Sequence, residues 1–437
     1  MADASTPEPT YTKLLEVAER AKRDPCGQLF SLAYLLDRDT LKSALGRIRS
    51  GAAVGVDGMT KAVFESNLEG NLEGLHEEMR RGSYRHQPIR RVHIPKENGK
   101  TRPIGISTIR DKVVQGALRD VLEAIYEQDF LDCSFGFRPN RSAHDALRTL
   151  NHAMNRGTGS WVLEIDIKSF FDSLDRKRLM KMLQVRIADK SMLRLVGKCL
   201  RVGILDGEEF SWTEGGTTQG SSLSPLLGNV YLHYALDLWF ERVVKPRLSG
   251  RAEMVRYADD AVFVFEHLWD AVKFQTALGQ RMMKFGLELH EEKTRLINFG
   301  RPGLKGSEPD TFDFLGFTHY WEKPKGRGWR ISQKTKRAGR TRFLKRVHEY
   351  CRDYRHSSVK DQHEALKRRI QGYIQYFGVR SNYRTLGNIC WKVAGIWKKW
   401  LARRSQKSRM NWARFSKILK IFPIPRPRVC VNLWASC

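Results

Sequence analysis

Residues 254–265, MVRYADDAVFVF, constrain this chain more than any other stretch. Met254 and Val255 on one side and Ala261 to Phe265 on the other are β-prone, so the pattern predicts strand, tight turn, strand, with Asp259 and Asp260 at the tip. Acids are common at turns, and the pair gains meaning only with a partner. Residues 161–172, WVLEIDIKSFFD, supply one: Leu163, Ile165 and Ile167 alternate with Glu164 and Asp166. That is the period-2 signature of a strand with one face in a core, and it places Asp166 near the strand end, on the face opposite the isoleucines. Paired side by side, the two segments would gather carboxylates without His or Cys, an oxygen donor set suited to Mg²⁺. Two such ions about 4 Å apart activate a hydroxyl and stabilise the leaving oxygen of an in-line phosphoryl transfer. The chemistry this suggests is nucleotidyl transfer.

Further blocks carry a family resemblance. EIDIKSFFD around Asp166, GTTQGSSLSPLLGNVYL from Gly216 to Leu232, YADD, GLELHEEKT from Gly286 to Thr294 and FDFLGF from Phe312 to Phe317 follow one another as the ordered blocks of a reverse transcriptase do. Upstream, AAVGVDGMT from Ala52 to Thr60, RRVHIPKENGKTRPIGISTIRDKVVQGAL and SFGFRPNRSAHDAL resemble the fingers of group II intron-encoded reverse transcriptases and maturases. The resemblance runs from about Leu41 to beyond Phe317.

The resemblance implies an α+β, right-hand polymerase fold, with fingers and palm built on antiparallel sheet and followed by an α-helical thumb or maturase domain. It implies an RNA-directed DNA polymerase that extends a primer with dNTPs on an RNA template, using two Mg²⁺ ions, with Mn²⁺ as a substitute. Asp166 and Asp259 are then the expected metal ligands, with the Ile167 carbonyl completing the shell and Asp260 either a supporting ligand or a structural acid. Lys96 and Arg102 match the family's triphosphate-contacting basic positions, and Gln219 its glutamine near the nucleotide and template base. Phe171, five residues past Asp166, stands where the family places a ring under the incoming sugar, and a ring there excludes a 2′-hydroxyl. Tyr257 and Ala258 fall near the primer terminus, and FDFLGF on the primer backbone. Most relatives carry Pro where this chain has Thr218 and Gly where it has Ser221, a change in loop rigidity that removes no charged group.

The residues themselves support several of these expectations. Val92-His93-Ile94 and Arg102-Pro103-Ile104 flank an Asn98-Gly99 turn and predict a hairpin whose cations can meet a triphosphate. In the CSFGFRPNR loop, Arg138 and Arg141 are expected to contact template or neighbouring backbone, and Lys293 a phosphate or primer end. Residues 61–83, 111–127, 225–240 and 268–285 read as helices, and Ser142 with Asp145 three residues on forms a capping-box pattern.

Charge divides the chain. Residues 321–437 hold 31 Lys+Arg against 5 Asp+Glu, whereas residues 1–320 are nearly balanced at 46 against 43. A net +26 concentrated there points to a polyanionic partner gripped in a salt-dependent way. The expected organisation is a helical N-terminal extension over 1–50, fingers and palm over 51–320, a helical thumb or maturase domain over 321–402 with its boundary at the Gly/Pro/Lys-rich stretch 322–328, and a basic nucleic-acid-binding arm over 403–437. Seven scattered cysteines make no zinc spacing or Cys/His endonuclease, and no apolar run reaches about 18 residues. The expectation is therefore a reduced, cytoplasmic, non-membrane protein, lacking that endonuclease, whose partners are RNA template, intron RNA, and DNA target or primer. The oligomeric state is left open. Two other roles fit the same residues: chiefly an RNA-binding maturase, or a domesticated enzyme of defence, spacer acquisition or repair.

Overall fold

The computed structural model describes residues 9–95, 101–155, 160–212, 216–217, 220–303, 309–326, 328–405 and 410–434. Eleven strands lie among these residues: β1 (Ile89–Pro95), β2 (Thr101–Ile106), β3 (Trp161–Ile165), β4 (Gly203–Asp206), β5 (Glu209–Trp212), β6 (Ala252–Tyr257), β7 (Asp260–Phe265), β8 (Arg295–Asn298), β9 (Phe312–Phe314), β10 (Phe317–Glu322) and β11 (Arg330–Thr335). The fold is α+β. Its central sheet has the order β6-β7-β3-β8 and is antiparallel throughout, with Ile165 opposite Ala261 and Tyr257 opposite Asp260.

Alternation along these strands sends Leu163, Ile165, Met254, Phe263 and Phe265 into one core and Val162, Val255, Val262, Val264 and Ile297 into a second. Both faces are therefore covered, where period-2 alternation predicts one. Glu164 sits among the apolar residues of the second face because Arg295 pairs with it at 2.7 Å and the Asp313 N–H donates to it at 2.7 Å. A buried carboxylate with two donors does not need water.

The first core is built around helix Ile109–Tyr126, twelve of whose residues are buried, as in a helix surrounded by protein. Thr108 caps it, accepting the Asp111 N–H. The N-terminal helices Pro9–Arg23 and Arg38–Gly46 pack on it, and a Cβ added at Gly116 would stand 3.1 Å from the Ala44 Cβ. A second sheet, β2-β1-β4-β5, extends beside it. Its β1–β2 and β4–β5 pairs are antiparallel, as expected, and its β1–β4 pair is parallel. The expected helix 225–240 is α-helical over Ser224–Leu232 and then widens into a π turn, His233–Asp237.

The Gly/Pro/Lys-rich stretch lies between β10 and β11, which pair antiparallel in a third sheet, β11-β10-β9. A boundary at 321 would cut β10. Helices begin at Arg337 and continue as Val359–Phe377 and Tyr383–Leu401, around a core holding Trp397, Val393 and Ile370. Asn382 ties this unit to the third sheet, accepting the Thr335 N–H at 3.0 Å and donating to Thr335 Oγ1 at 2.8 Å.

The basic C-terminal segment is not a free arm. Helix Trp412–Ile421 buries Phe415 against Trp397, and the chain then returns across the molecule. The Cys430 and Val431 N–H groups donate to the Gly378 carbonyl, while Arg148 and Asn151 donate to the carbonyls of Asn432 and Leu433. Val431 and Leu433 enter the second core behind β7. Among the described residues no helix is long and apolar enough to cross a membrane.

Candidate active site

The acids meet at one end of the central sheet. Tyr257 and Asp260 close the β6–β7 hairpin, leaving Ala258 and Asp259 as its two-residue turn. Ala258 has φ of 58°, a left-handed conformation usually given to Gly, and such strain persists only where neighbours hold it. Arg256 Nη1 donates to the Ala258 carbonyl at 2.9 Å, and Gly136 packs so closely on the Ala258 nitrogen that no Cβ would fit. The Asp259-Asp260 pair is thus held by surrounding structure. Asp260 opens β7, so only Asp259 lies in the turn proper.

Asp166 leaves β3 beside this turn. Its carbonyl accepts the His290 N–H at 2.8 Å, and the Lys168 N–H donates to Glu288 at 2.8 Å, so GLELHEEKT braces the segment from one side. Strand backbone groups alternate, so the Ile167 carbonyl between those two bonds is directed to the opposite side, toward β7. Lys293 Nζ lies 3.0 Å from Asp166 Oδ2. Lys293 is more than half exposed, which leaves it able to exchange that carboxylate for another anion.

Burial, and then the nearby Asp166 charge, raise the Asp259 carboxyl above its ordinary range. Burial, then Asp259 and Asp166, push Asp260 up to about 6, against the opposing pull of Lys293 and Lys336. Asp260 nonetheless remains solvent-exposed, so water and ions reach it. The three carboxylates do not form a ready-made cage with all ligand atoms mutually within 4.8 Å; among the described residues only Glu73, His76 and Glu77, on a helix surface, meet that test. What the sheet end does offer is two or three mutually repelling carboxylates and a directed carbonyl. This hard-oxygen set fits divalent cations of the Mg²⁺ class, which relieve the repulsion.

A pH prediction follows from Asp260. An acid whose folded pKa exceeds its unfolded one makes the native state hold the extra proton, so stability falls as pH rises through that interval and stays lower above it. Asp260→Asn should therefore melt above the parent at pH 8 in EDTA, with the gain shrinking toward zero near pH 4. An equal gain at both pH values would show that repulsion among the acids is not its source.

The nucleotide-side residues are placed in part. Arg102, exposed on β2, is among the charges that lower the Asp259 pKa, which puts it on the acids' side of the cleft. Phe170 is buried in the first core, whereas Phe171 is half-exposed, with ring centroids 5.2 Å apart. Both rings border the first core, Phe170 within it and Phe171 partly buried against it. The Thr217 N–H donates to the Phe171 carbonyl at 2.7 Å, and Gly220, at φ of 117°, packs on the Gly105 backbone. The Gly/Ser/Thr loop thus bridges Phe171 and β2. Lys96, Thr218 and Gln219 lie outside the described residues.

Of the two loop arginines, Arg138 takes the neighbouring-backbone role. It is 7% exposed, donates to the carbonyls of Leu131 and Ser134, and pairs with Glu127 at 2.9 Å, so it cannot face a template. Arg141 is partly exposed and bound to Asp132. Tyr257 packs against the second core beside the turn.

Sequence reasoning missed Arg256. Its side chain is fully buried with Asp237 at 2.5 Å, Asn229 Oδ1 at 3.0 Å and Ser134 Oγ at 2.8 Å, in addition to the Ala258 carbonyl. A strand arginine next to a turn reads as solvated. The available signal was that Arg256 points to the same side as Met254 in an apolar strand.

The family described as Reverse transcriptase (RNA-dependent DNA polymerase) matches residues 94–319, which include the acids and the bracing segments. Protein YkfC of Escherichia coli (strain K12) is 36% identical over 249 residues, covering 55% of this chain and 64% of that protein. The group II intron-encoded protein LtrA of Lactococcus lactis subsp. cremoris is 36% identical over 292 residues, 65% of this chain and 47% of LtrA. Nuclear intron maturase 1, mitochondrial, of Arabidopsis thaliana is 32% identical over 92 residues, 21% of this chain and 13% of that protein. The chain spans about half to just under two-thirds of the first two relatives' length.

Proposed function

From the premise that this chain belongs to the reverse transcriptase (RNA-dependent DNA polymerase) family, with a group II intron-encoded protein among its relatives, we propose that it extends a nucleic-acid primer with dNTPs on an RNA template. The observation that carries this reading is the pairing of β3 with the β6–β7 hairpin, which brings Asp166 beside Asp259 and Asp260 at one sheet end. Asp166 and Asp259, with the Ile167 carbonyl, are the groups that would hold two divalent cations. When bound, such ions supply Lewis acidity to the attacking 3′-hydroxyl and the leaving oxygen. Arg102 and Lys293 neutralise phosphate charge, and Lys293 exchanges its Asp166 contact for a phosphate oxygen. Tyr257 and Ala258 bear on the primer end. The test is primer extension by the purified chain on an RNA template with Mg²⁺ and dNTPs, where full-length cDNA supports the reading and none overturns it.

Phe171 selects the sugar in this reading. Phe171→Ala should relax exclusion of the 2′-hydroxyl and raise rNTP use relative to dNTP by about 10- to 100-fold, because steric rejection is lost while dNTP contacts remain. Phe170→Ala should lower stability and leave the sugar ratio unchanged. Equal ratios in Phe171→Ala and the parent would remove Phe171 from this role.

A second reading, assistance of intron RNA folding, is favoured by the charge of the C-terminal quarter, 31 Lys+Arg against 5 Asp+Glu over residues 321–437. Such a surface tracks RNA phosphates. Asp259→Ala would spare that activity while ending cDNA synthesis, so splicing of a cognate intron by this variant tests it separately.

A further inference from the structure

Beside Gly216 lies a cleft of about 860 Å³ that the polymerase reading does not use. Helices Arg176–Arg186 and Lys190–Leu200 line it. Lys177 and Lys181 lie one turn apart on the first, as do Lys190 and Arg194 on the second, and all four are exposed. Exposed Arg85 and Arg201 add two more charges, and no Asp or Glu is among the described residues of its lining. At the loop end, Arg176 donates to the Gly216 carbonyl at 2.7 Å, and burial together with Arg201 lowers its pKa. Cations crowded this way repel one another unless a polyanion lies between them.

The floor is apolar. Met180, Leu193 and Leu200 form it, and Trp212, at the end of edge strand β5, stands over it 70% exposed. Phosphates alone need only the cations, whereas an exposed indole beside an apolar floor suits a flat ring. The carboxylates of an acidic peptide carry no ring beside each charge, and a paired duplex keeps its base faces stacked inside.

We propose that this cleft holds a segment of single-stranded RNA, its phosphates between the Lys/Arg walls and a base on Trp212. The proposal rests on the reading that RNA is this chain's partner. It adds a place for a strand at residues other than those assigned to the polymerase site.

The test uses the full chain with a fluorescent single-stranded RNA, the same RNA annealed to its complement, and poly-glutamate as competitor. Lys181→Glu/Arg194→Glu should weaken single-strand binding at least tenfold and flatten the log–log salt slope by about 1.4, since each single-strand phosphate contact contributes about 0.7. Trp212→Ala should weaken binding by about 5- to 100-fold with the slope unchanged, because stacking is lost and charge is not. Melting temperatures of these surface variants report folding, and a 4-thiouridine strand crosslinked to the unaltered chain should map to residues within 176–212. Crosslinks only elsewhere, an unchanged affinity in both variants, or equal competition by poly-glutamate would overturn the proposal. Binding through the cleft with no cDNA made would sink the polymerase reading alone, and cDNA synthesis with binding unaffected in both variants would sink the cleft alone.

Discussion

Asp259→Ala is expected to abolish primer extension, with a fall in rate of at least about 10³-fold and no loss of folded protein. Metal assistance to a phosphoryl transfer contributes several kcal/mol, and each 1.4 kcal/mol is about tenfold. The carboxylate lies in a two-residue turn held by Arg256 and Gly136, so its removal leaves the backbone held. Burial and Asp166 already raise its pKa, so the metal-free variant should melt at or above the parent. Single-turnover extension in Mg²⁺ beside a melting curve measures both. Near-parental synthesis would remove Asp259 from the site, and an early melt would show that the turn depends on its carboxylate. Asp166→Ala should match it in rate and free Lys293 from its 3.0 Å contact.

The largest effect on stability should come from Arg256→Ala. Both members of the Arg256–Asp237 pair are fully buried, so deleting the guanidinium leaves an uncompensated carboxylate in the core. Such breakage costs about 3–5 kcal/mol. In a chain of this size that corresponds to a fall in melting temperature of about 3–5 °C. Replacing both partners with apolar residues, Arg256→Met with Asp237→Leu, should recover most of that loss, because the desolvation penalty disappears with the pair. Activity should not recover with it. Arg256 also donates to the Ala258 carbonyl, and without that donor the left-handed turn under Asp259 loses a restraint. A double variant both stable and fully active would show that Arg256 serves the core alone, and one as unstable as Arg256→Ala would show that the pair is not the source of the loss.

The parts of the fold that alternation encodes were legible before the structure. Leu163, Ile165 and Phe263 repeat every second residue, and their strands pair with the acids at one end as that period requires. The Ser142–Asp145 capping box was legible for the same local reason, and both of its hydrogen bonds form. What stayed hidden depends on residues distant in sequence. Glu164 reads as the polar face of a strand, but Arg295 and Asp313, more than 130 residues away, let that face be buried. Arg256 needs Asp237 on a π turn and Ser134 in a loop, a combination no periodicity encodes. In its Gly/Pro/Arg loop Arg138 was open to template or neighbouring backbone, and Glu127 with the carbonyls of Leu131 and Ser134 takes it. Charge says nothing of the path taken over 410–434, which a few apolar residues, Phe415, Val431 and Leu433, fix by entering the cores.

That path has a consequence for synthesis on the ribosome. The valines on the back of β7 share their core with Val431 and Leu433, and Asn151 and Arg148 donate to the carbonyls of 433 and 432. While a nascent chain is being made, the first core can close once residue 287 has emerged, but the second stays open to water for nearly 150 residues more. At about 5–20 residues per second that is an interval of several seconds or more, during which the sheet bearing the acids has an apolar back. The chain becomes a finished scaffold only when its last described residues arrive. Chaperone capture of stalled chains should accordingly peak between those two lengths.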